Sequence, residues 1–347
     1  MFPIRLLLVA FAALQLVLMP ALAQAARLFT DAAGRSVEIP DRVERVLAAG
    51  PPASVLLYVV SPEKMVGWVR SPSDAEKQFL AEPYRDLPET GRLTGRGNTA
   101  NIEMVLSMKP DIIIDVGTID PTYASLADRV QEQTGIPYVL IDGAFLRTPE
   151  TLREVAGLLG VEARGEELAS YAERTMAWQK ETVADIAPED RPKVYYGRGP
   201  DGLETGSAGS INMEILDVVG AHNVAALAGS GGLSNVSIEQ VLGWNPDVIL
   251  TLSPEFQKSV KTDPTWANLK AVKDGRVYRA PTQPFGWFDS PPGVNRLMSV
   301  TWLTEILYPG KAEFDMGERT REFYRLFYQV ELTQEQIDQL LADSAIK

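Results

Sequence analysis

The chain has 347 residues, 33 Lys plus Arg against 46 Asp plus Glu, a formal net charge of −13 at pH 7, no cysteine and one histidine. So acidic a surface argues against nucleic acid or anionic membrane as partner, and the lack of cysteine excludes disulfides, thiolate metal sites and cysteine nucleophiles. The length suggests two domains.

In chain order, Arg5 precedes the apolar run Leu6–Met19, and Ala21-Leu22-Ala23-Gln24-Ala25-Ala26 supplies the small residues of an A-x-A cleavage site. This pattern reads as a secretory signal peptide over residues 1–25. The run is shorter than the roughly 20 apolar residues of a spanning helix. With no cysteine to carry lipid, the mature chain is expected to be free, monomeric and exported, a periplasm fitting best.

A first lobe is expected over 27–146. Val43–Leu47 reads as a strand, Ser54–Val59 as a helix, Met65–Val69 as a second strand and Pro137–Ile141 as a closing one. Strands alternating with helices imply a parallel sheet. Asn101–Ile114, NIEMVLSMKPDIII, has a near copy 136 residues on (237 minus 101), Ser237–Leu250, SIEQVLGWNPDVIL, with seven of fourteen positions identical. Both copies carry the same physics. Asn101 or Ser237 can cap a helix. Ile102, Val105 and Leu106 share one helical face. Pro110 disfavours helix just before it, and Ile112–Ile114 is the continuous apolar run of a strand covered on both faces. Ile238, Val241, Leu242, Pro246 and Val248–Leu250 repeat the pattern. A duplicated helix–Pro-Asp–strand unit predicts two lobes built alike.

Residues 147–190 form the expected link. Gly157, Gly160 and Gly165 break its early part, and Glu166–Ile186 reads as one long helix. A second lobe spans 191–347, with strands at Lys193–Tyr196 and Arg276–Arg279 and helices at Ile211–Val219 and Val294–Ile306. Residues 312–346 read as two further helices broken near Glu331–Thr333, with Thr333 capping the second. The expected class is α/β: two lobes with parallel-type sheets joined by a single long helix.

The motif N-x-E-x-x-L-x-x-K-P-D-I-I at 101–113, its echo at 237–250 and the opening L-F-T-D-x-x-G-R-x-V-x-I-P at 28–40 make the mature chain resemble the solute-binding proteins of metal-chelate ABC importers. The resemblance implies a ligand cleft between the lobes and no cofactor. It also implies a glutamate on each lobe, Glu103 and Glu239, that docks on arginines of an ABC permease dimer in the inner membrane. Its cargo would be a small-molecule metal complex, such as a ferric siderophore, haem or cobalamin, or an oxyanion. On the residues alone, a glutamate at a helix start also gains about 0.3–1 kcal/mol from the helix dipole.

In open α/β sheets ligands bind beyond the carboxyl ends of strands. Four loops qualify: Trp68–Arg70; Gly91–Asn98 with Arg96; Tyr195–Gly202 with Tyr196 and Arg198; and Pro284–Arg296, PFGWFDSPPGVNR. Prolines stiffen the last and reduce the entropy lost on binding. Its Trp287 offers an apolar face and an indole N–H. Asp289 can orient Arg296 or accept from ligand or backbone, and Arg296 begins a helix whose N-terminus favours negative charge. Phe288 reads as core.

Arg96, Arg198 and Arg296 with Tyr196 and Trp287 would make a basic, aromatic site for an anionic iron(III) chelate, because the guanidinium fork matches carboxylate or catecholate oxygens. The same set suits molybdate or tungstate. Haem or a corrinoid stays open, since tyrosine can ligate iron and Tyr195 and Tyr196 are at hand. A bare-metal site is disfavoured for want of histidines; His222 reads as a solvated residue past a helix end. Gly197, Gly199 and Gly202 form a G-x-G-x-x-G pattern, but Pro200 keeps a helix from starting inside it, as nucleotide binding requires. An exported hydrolase is the least favoured reading. Gly206–Ser210 lacks the G-x-S-x-G spacing, and a triad would depend on His222.

Overall fold

The computed structural model describes residues 26–95, 100–229, 231–312, 314–342 and 344. The expected leader, 1–25, and Arg96 lie outside them. An antiparallel hairpin opens the chain, β1 (Ala26–Thr30) and β2 (Ser36–Pro40), with Asp31 Oδ1 accepting from Ala33 N and Arg35 N in its turn. Next come β3 (Val46–Ala48), α1 (Pro51–Val60), α2 (Ile102–Met108), β4 (Ile112–Gly117), α3 (Pro121–Thr134) and β5 (Tyr138–Asp142). β3, β4 and β5 form a parallel sheet in that order. Met65–Val69 is not the strand expected. Met65 makes a single bridge to Val46, and Trp68 turns its backbone away to Pro88 O and Thr90 N.

The link consists of α4 (Thr148–Leu159) and α5 (Glu162–Thr182). Of the three glycines expected to break it, Gly160 does so, while Gly157 and Gly165 lie inside helices. Gly160 caps α4 at φ 71°. A Cβ on Gly165 would lie 2.2 Å from Ala156 Cβ, so this glycine lets α5 pack directly on α4. The long helix therefore starts four residues earlier than the sequence suggests (166 minus 162).

The second lobe contains β6 (Lys193–Tyr196), β7 (Glu204–Gly206), α6 (Glu214–Val218), β8 (His222–Asn223), β9 (Leu233–Asn235), α7 (Ile238–Trp244), β10 (Val248–Thr251), β11 (Val277–Arg279) and α8 (Arg296–Leu307). Its sheet runs β11-β10-β6-β8, all parallel, and β7 and β9 form a separate antiparallel ribbon. α9 (Met316–Phe323) and α10 (Gln334–Leu341) end the chain, and Thr333 caps α10 as expected.

Both copies of the repeat fold as their residues direct. Asn101 Oδ1 accepts from Met104 N at 2.7 Å and Ser237 Oγ from Gln240 N at 3.3 Å. α2 and α7 end on left-handed residues, Lys109 and Asn245. The aspartate of each Pro-Asp pair then reaches sideways. Asp111 Oδ2 accepts from Glu44 N and Arg45 N, and Asp247 Oδ2 accepts from Lys193 N. Each carboxylate thus ties the start of its own strand to the start of the neighbouring one.

A buried aromatic group joins the lobes. Tyr58 of α1 donates to Tyr328 O at 2.6 Å, and its ring lies near Trp68, Phe285 and Tyr328.

Candidate ligand cleft

A cleft of about 700 Å³ separates the lobes. Its lining follows strand ends: Asp115–Gly117 of β4, Leu140 and Ile141 of β5, Arg198 after β6, Leu252 after β10 and Thr282 after β11. This is the crevice that open parallel sheets offer.

The C-terminal lobe's wall is built on Pro284–Arg296, which contains cis peptide bonds at Gln283–Pro284 and Ser290–Pro291. Phe285, Gly286, Asp289, Ser290, Pro291 and Pro292 line the cleft. Gly286 is required, because a Cβ there would sit 2.0 Å from Asp289 O. Asp289, 1% exposed, is the hub. Its Oδ2 accepts from Arg198 Nη1 and from Tyr196 OH at 3.2 Å, and its Oδ1 from Asn212 Nδ2 and Ser290 N, both at 2.7 Å. Arg198 Nε also donates to Glu204 at 3.0 Å. With four donors, Asp289 has little capacity left for a ligand; it aims Arg198 and Asn212, which do line the cleft.

Trp287 and Arg296 do not line the cleft, contrary to the sequence expectation. Trp287 is fully buried, and its Nε1 donates to Tyr324 OH at 3.2 Å. Its large apolar surface is better hidden in the core than left at a wet wall. Arg296, 1% exposed, turns back into the lobe junction. Its Nη1 donates to Ile211 O at 2.6 Å and Glu214 Oε2 at 3.0 Å, its Nη2 to Gly143 O at 3.3 Å, and its guanidinium lies over the Phe145 ring. Glu214 Oε2 also accepts from Phe145 N. The group is a clasp between lobes, and Asp289 orients Arg198 rather than Arg296. Tyr196 is buried behind Asp289, with Phe288 packed edge-on against it.

On the N-terminal lobe's side, Arg70 makes a two-pronged pair with Glu76. Arg92, Thr94, Asp115, Tyr123 and the head of α1 complete the wall. Asp115 Oδ1 accepts from Thr94 Oγ1 at 3.0 Å and Oδ2 from Tyr138 OH at 3.1 Å. Burial pushes its carboxyl up to about 6. A raised carboxyl contributes stability below the unfolded value, and that stability is lost as pH rises through about 6, so at neutral pH Asp115 is ionised at a cost to the fold.

The sequence reading missed Asp115, although the polar residue ending the apolar run Ile112–Ile114 was a signal. Its counterpart in the second repeat is Thr251. Ser54, Thr94 and Asn212 carry no comparable signal. Among the described residues the cleft has three arginines, Arg70, Arg92 and Arg198, against three carboxylates, Glu76, Asp115 and Asp289. Among these described residues the charges balance.

His222 is exposed, with its Nε2 2.8 Å from Pro188 O. The Gly197–Gly202 turn leads into β7, not a helix. No helix among the described residues is long and apolar enough to cross a membrane.

Two parallel-sheet lobes bridged by helices and facing one another across a strand-end cleft define a solute-binding protein. The chain belongs to the periplasmic binding protein family, whose pattern it matches over residues 59–284. It is 29% identical to the molybdate-binding protein MolA of Haemophilus influenzae, over 88% of this chain and 92% of MolA. The structure of MolA bound to molybdate superposes with a TM-score of 0.72 at 25% identity, covering 88% of this chain and 99% of MolA. An ABC transporter solute-binding protein from Sulfurospirillum deleyianum superposes with a TM-score of 0.81 at 29% identity, covering 91% and 99% of the two chains. The protein is thus the substrate-binding component of an ABC importer, which works with a permease and an ATPase, and it binds a solute rather than transforming it.

Proposed function

We propose that the cargo is an iron(III) chelate of the siderophore type, held between the lobes and delivered to the permease. The size of the cleft carries this reading. About 700 Å³ falls within the roughly 300–1,000 Å³ of sites that enclose drug-sized ligands. A tetrahedral oxyanion, with four oxygens of roughly 30 Å³ each, fills only about 120 Å³. Among the described residues the lining carries as many carboxylates as arginines, which is in keeping with a complex of low net charge. Arg198 and Asn212 offer donors to chelate oxygens, while Phe285, Pro291 and Pro292 offer apolar contact. The iron(3+)-hydroxamate-binding protein FhuD of Bacillus subtilis, 23% identical over 63% of this chain and 69% of FhuD, is in keeping with it. The similarity to MolA favours a second reading, in which the cargo is molybdate or tungstate.

Thermal unfolding against ferric chelates, haemin, cobalamin, molybdate and tungstate tests both. A ligand at 100 times its dissociation constant is expected to add about 2.7 kcal/mol. A shift with ferric chelates supports the first reading, and a shift with molybdate or tungstate alone replaces it with the second.

Glu103 and Glu239 are exposed in the first turns of α2 and α7, at equivalent places in the two lobes. In this proposal they dock on the permease. Glu103→Arg combined with Glu239→Arg is expected to abolish cellular uptake of the cargo while calorimetric affinity stays unchanged. Lost affinity would refute that division of labour.

A further inference from the structure

The head of α1 opens onto the cleft. Pro51 and Pro52 occupy its first two positions and have no N–H to offer, so this helix start lacks two of the donors of an anion cradle. Gly50 precedes them. A Cβ on Gly50 would lie 2.5 Å from Thr94 Oγ1 and 3.7 Å from Asp115 Oδ1, which sets both residues against the helix head. One turn in, Ser54 lines the cleft, is 3% exposed, and its Oγ has no hydrogen-bond partner among the described residues. Buried helical serines often return the hydroxyl to the carbonyl four residues back; this one does not. The other hydroxyl of α1, on Tyr58, is accounted for by Tyr328 O and Ala81 N.

Asp115 faces the same cleft, 6% exposed. Thr94 and Tyr138 each occupy one site on its oxygens. A carboxylate has about four lone-pair sites, so acceptor capacity remains. An anion placed here would meet that carboxylate with the two leading N–H groups of the helix missing. A neutral group that both donates and accepts would satisfy Asp115 and Ser54 together.

We propose that Ser54, Thr94 and Asp115 form a second subsite on the N-terminal lobe's wall, which takes a hydroxyl or amide group of the cargo's organic framework. The donor side of that group binds Asp115, and its oxygen accepts from Ser54 Oγ. On the opposite wall the N–H groups of Arg198 and Asn212 take the chelate's oxygens. The cargo is then recognised by two different chemistries across the cleft. This subsite rests on the chelate reading, because a bare oxyanion at neutral pH has no such group.

The test is titration calorimetry of the mature protein with ferric desferrioxamine B, whose amides stay free of the iron, with ferric citrate and with molybdate. Ser54→Ala and Asp115→Asn are measured beside the wild type. Each variant is expected to weaken the bound ferric chelate by about tenfold or more, the effect of losing one buried hydrogen bond. Unliganded Ser54→Ala should melt no lower than wild type, since it removes a buried hydroxyl without a partner, so its lost affinity is not a folding defect. If wild type binds a ferric chelate and both variants bind it within twofold, the subsite is refuted and the chelate reading stands. Wild type that binds molybdate alone, or none of the three, overturns both.

Discussion

Replacing Arg296 by alanine is expected to destabilise the protein by about 3 kcal/mol, the lower end of the range for breaking a buried ion pair, while leaving cargo affinity within threefold of wild type. The lower end applies because the Glu214 side chain keeps 30% of its surface exposed, so water partly compensates the abandoned carboxylate. Burial alone draws the Arg296 guanidinium down from its usual range, and Glu214 opposes that shift. The side chain also satisfies Ile211 O and Gly143 O, which no neighbour would replace. At roughly 2–4 °C per kcal/mol for a domain of 150–250 residues, thermal unfolding should move down by about 10 °C. Arg296→Met with Glu214→Gln should recover much of the loss, because neither charge is then stranded. An Arg296→Ala protein that melts normally but no longer binds cargo would restore Arg296 to the ligand site and remove the clasp.

Asp289→Ala should have the opposite profile, with the larger effect on binding. The substitution strips an acceptor from Arg198, Tyr196, Asn212 and Ser290 N together. Arg198 then keeps Glu204 as its carboxylate and swings off the cleft. Hydrogen bonds to charged groups are worth about 1.5–3 kcal/mol each, and two aimed donors are lost to the cargo. Affinity should fall by about 100-fold, equivalent to about 2.7 kcal/mol. Stability should fall too, because Tyr196 OH becomes a buried group without a partner, at about 1–3 kcal/mol. Asp289→Asn keeps the shape but turns an amide N–H₂ toward one set of donors, and an intermediate loss is expected. Titration calorimetry on both variants decides; binding within threefold of wild type for Asp289→Ala would show that the orientation of Arg198 is immaterial.

Where the physics is local, the sequence was a good guide. A cap residue, a proline and an apolar run fix α2–β4 and α7–β10 with no help from the rest of the chain, so the duplicated unit was legible and so was the parallel class of the sheets. α10 was legible for the same reason, through Thr333. The site was less so. A loop has no period, and nothing in PFGWFDSPPGVNR distinguishes Phe285, which faces the cleft, from Trp287, which faces the core. Arg296 stands at a helix start as expected, but its partner Glu214 is 82 residues away in sequence. The carboxylates of the cleft were half legible: Asp289 stood out in its loop, and Asp115, on the other lobe, did not.

The contact of Gly165 with Ala156 bears on how quickly this receptor works. It fastens α5 to α4, and the Arg296 clasp and the Tyr58 group fasten the lobes beyond them. Walls held this way need little rearrangement to receive a solute. Capture is then expected to run near the rate set by diffusion and orientation. Competing solutes arrive at similar rates, and selection rests on residence time. The cargo that stays longest is the one still aboard when the receptor meets the membrane.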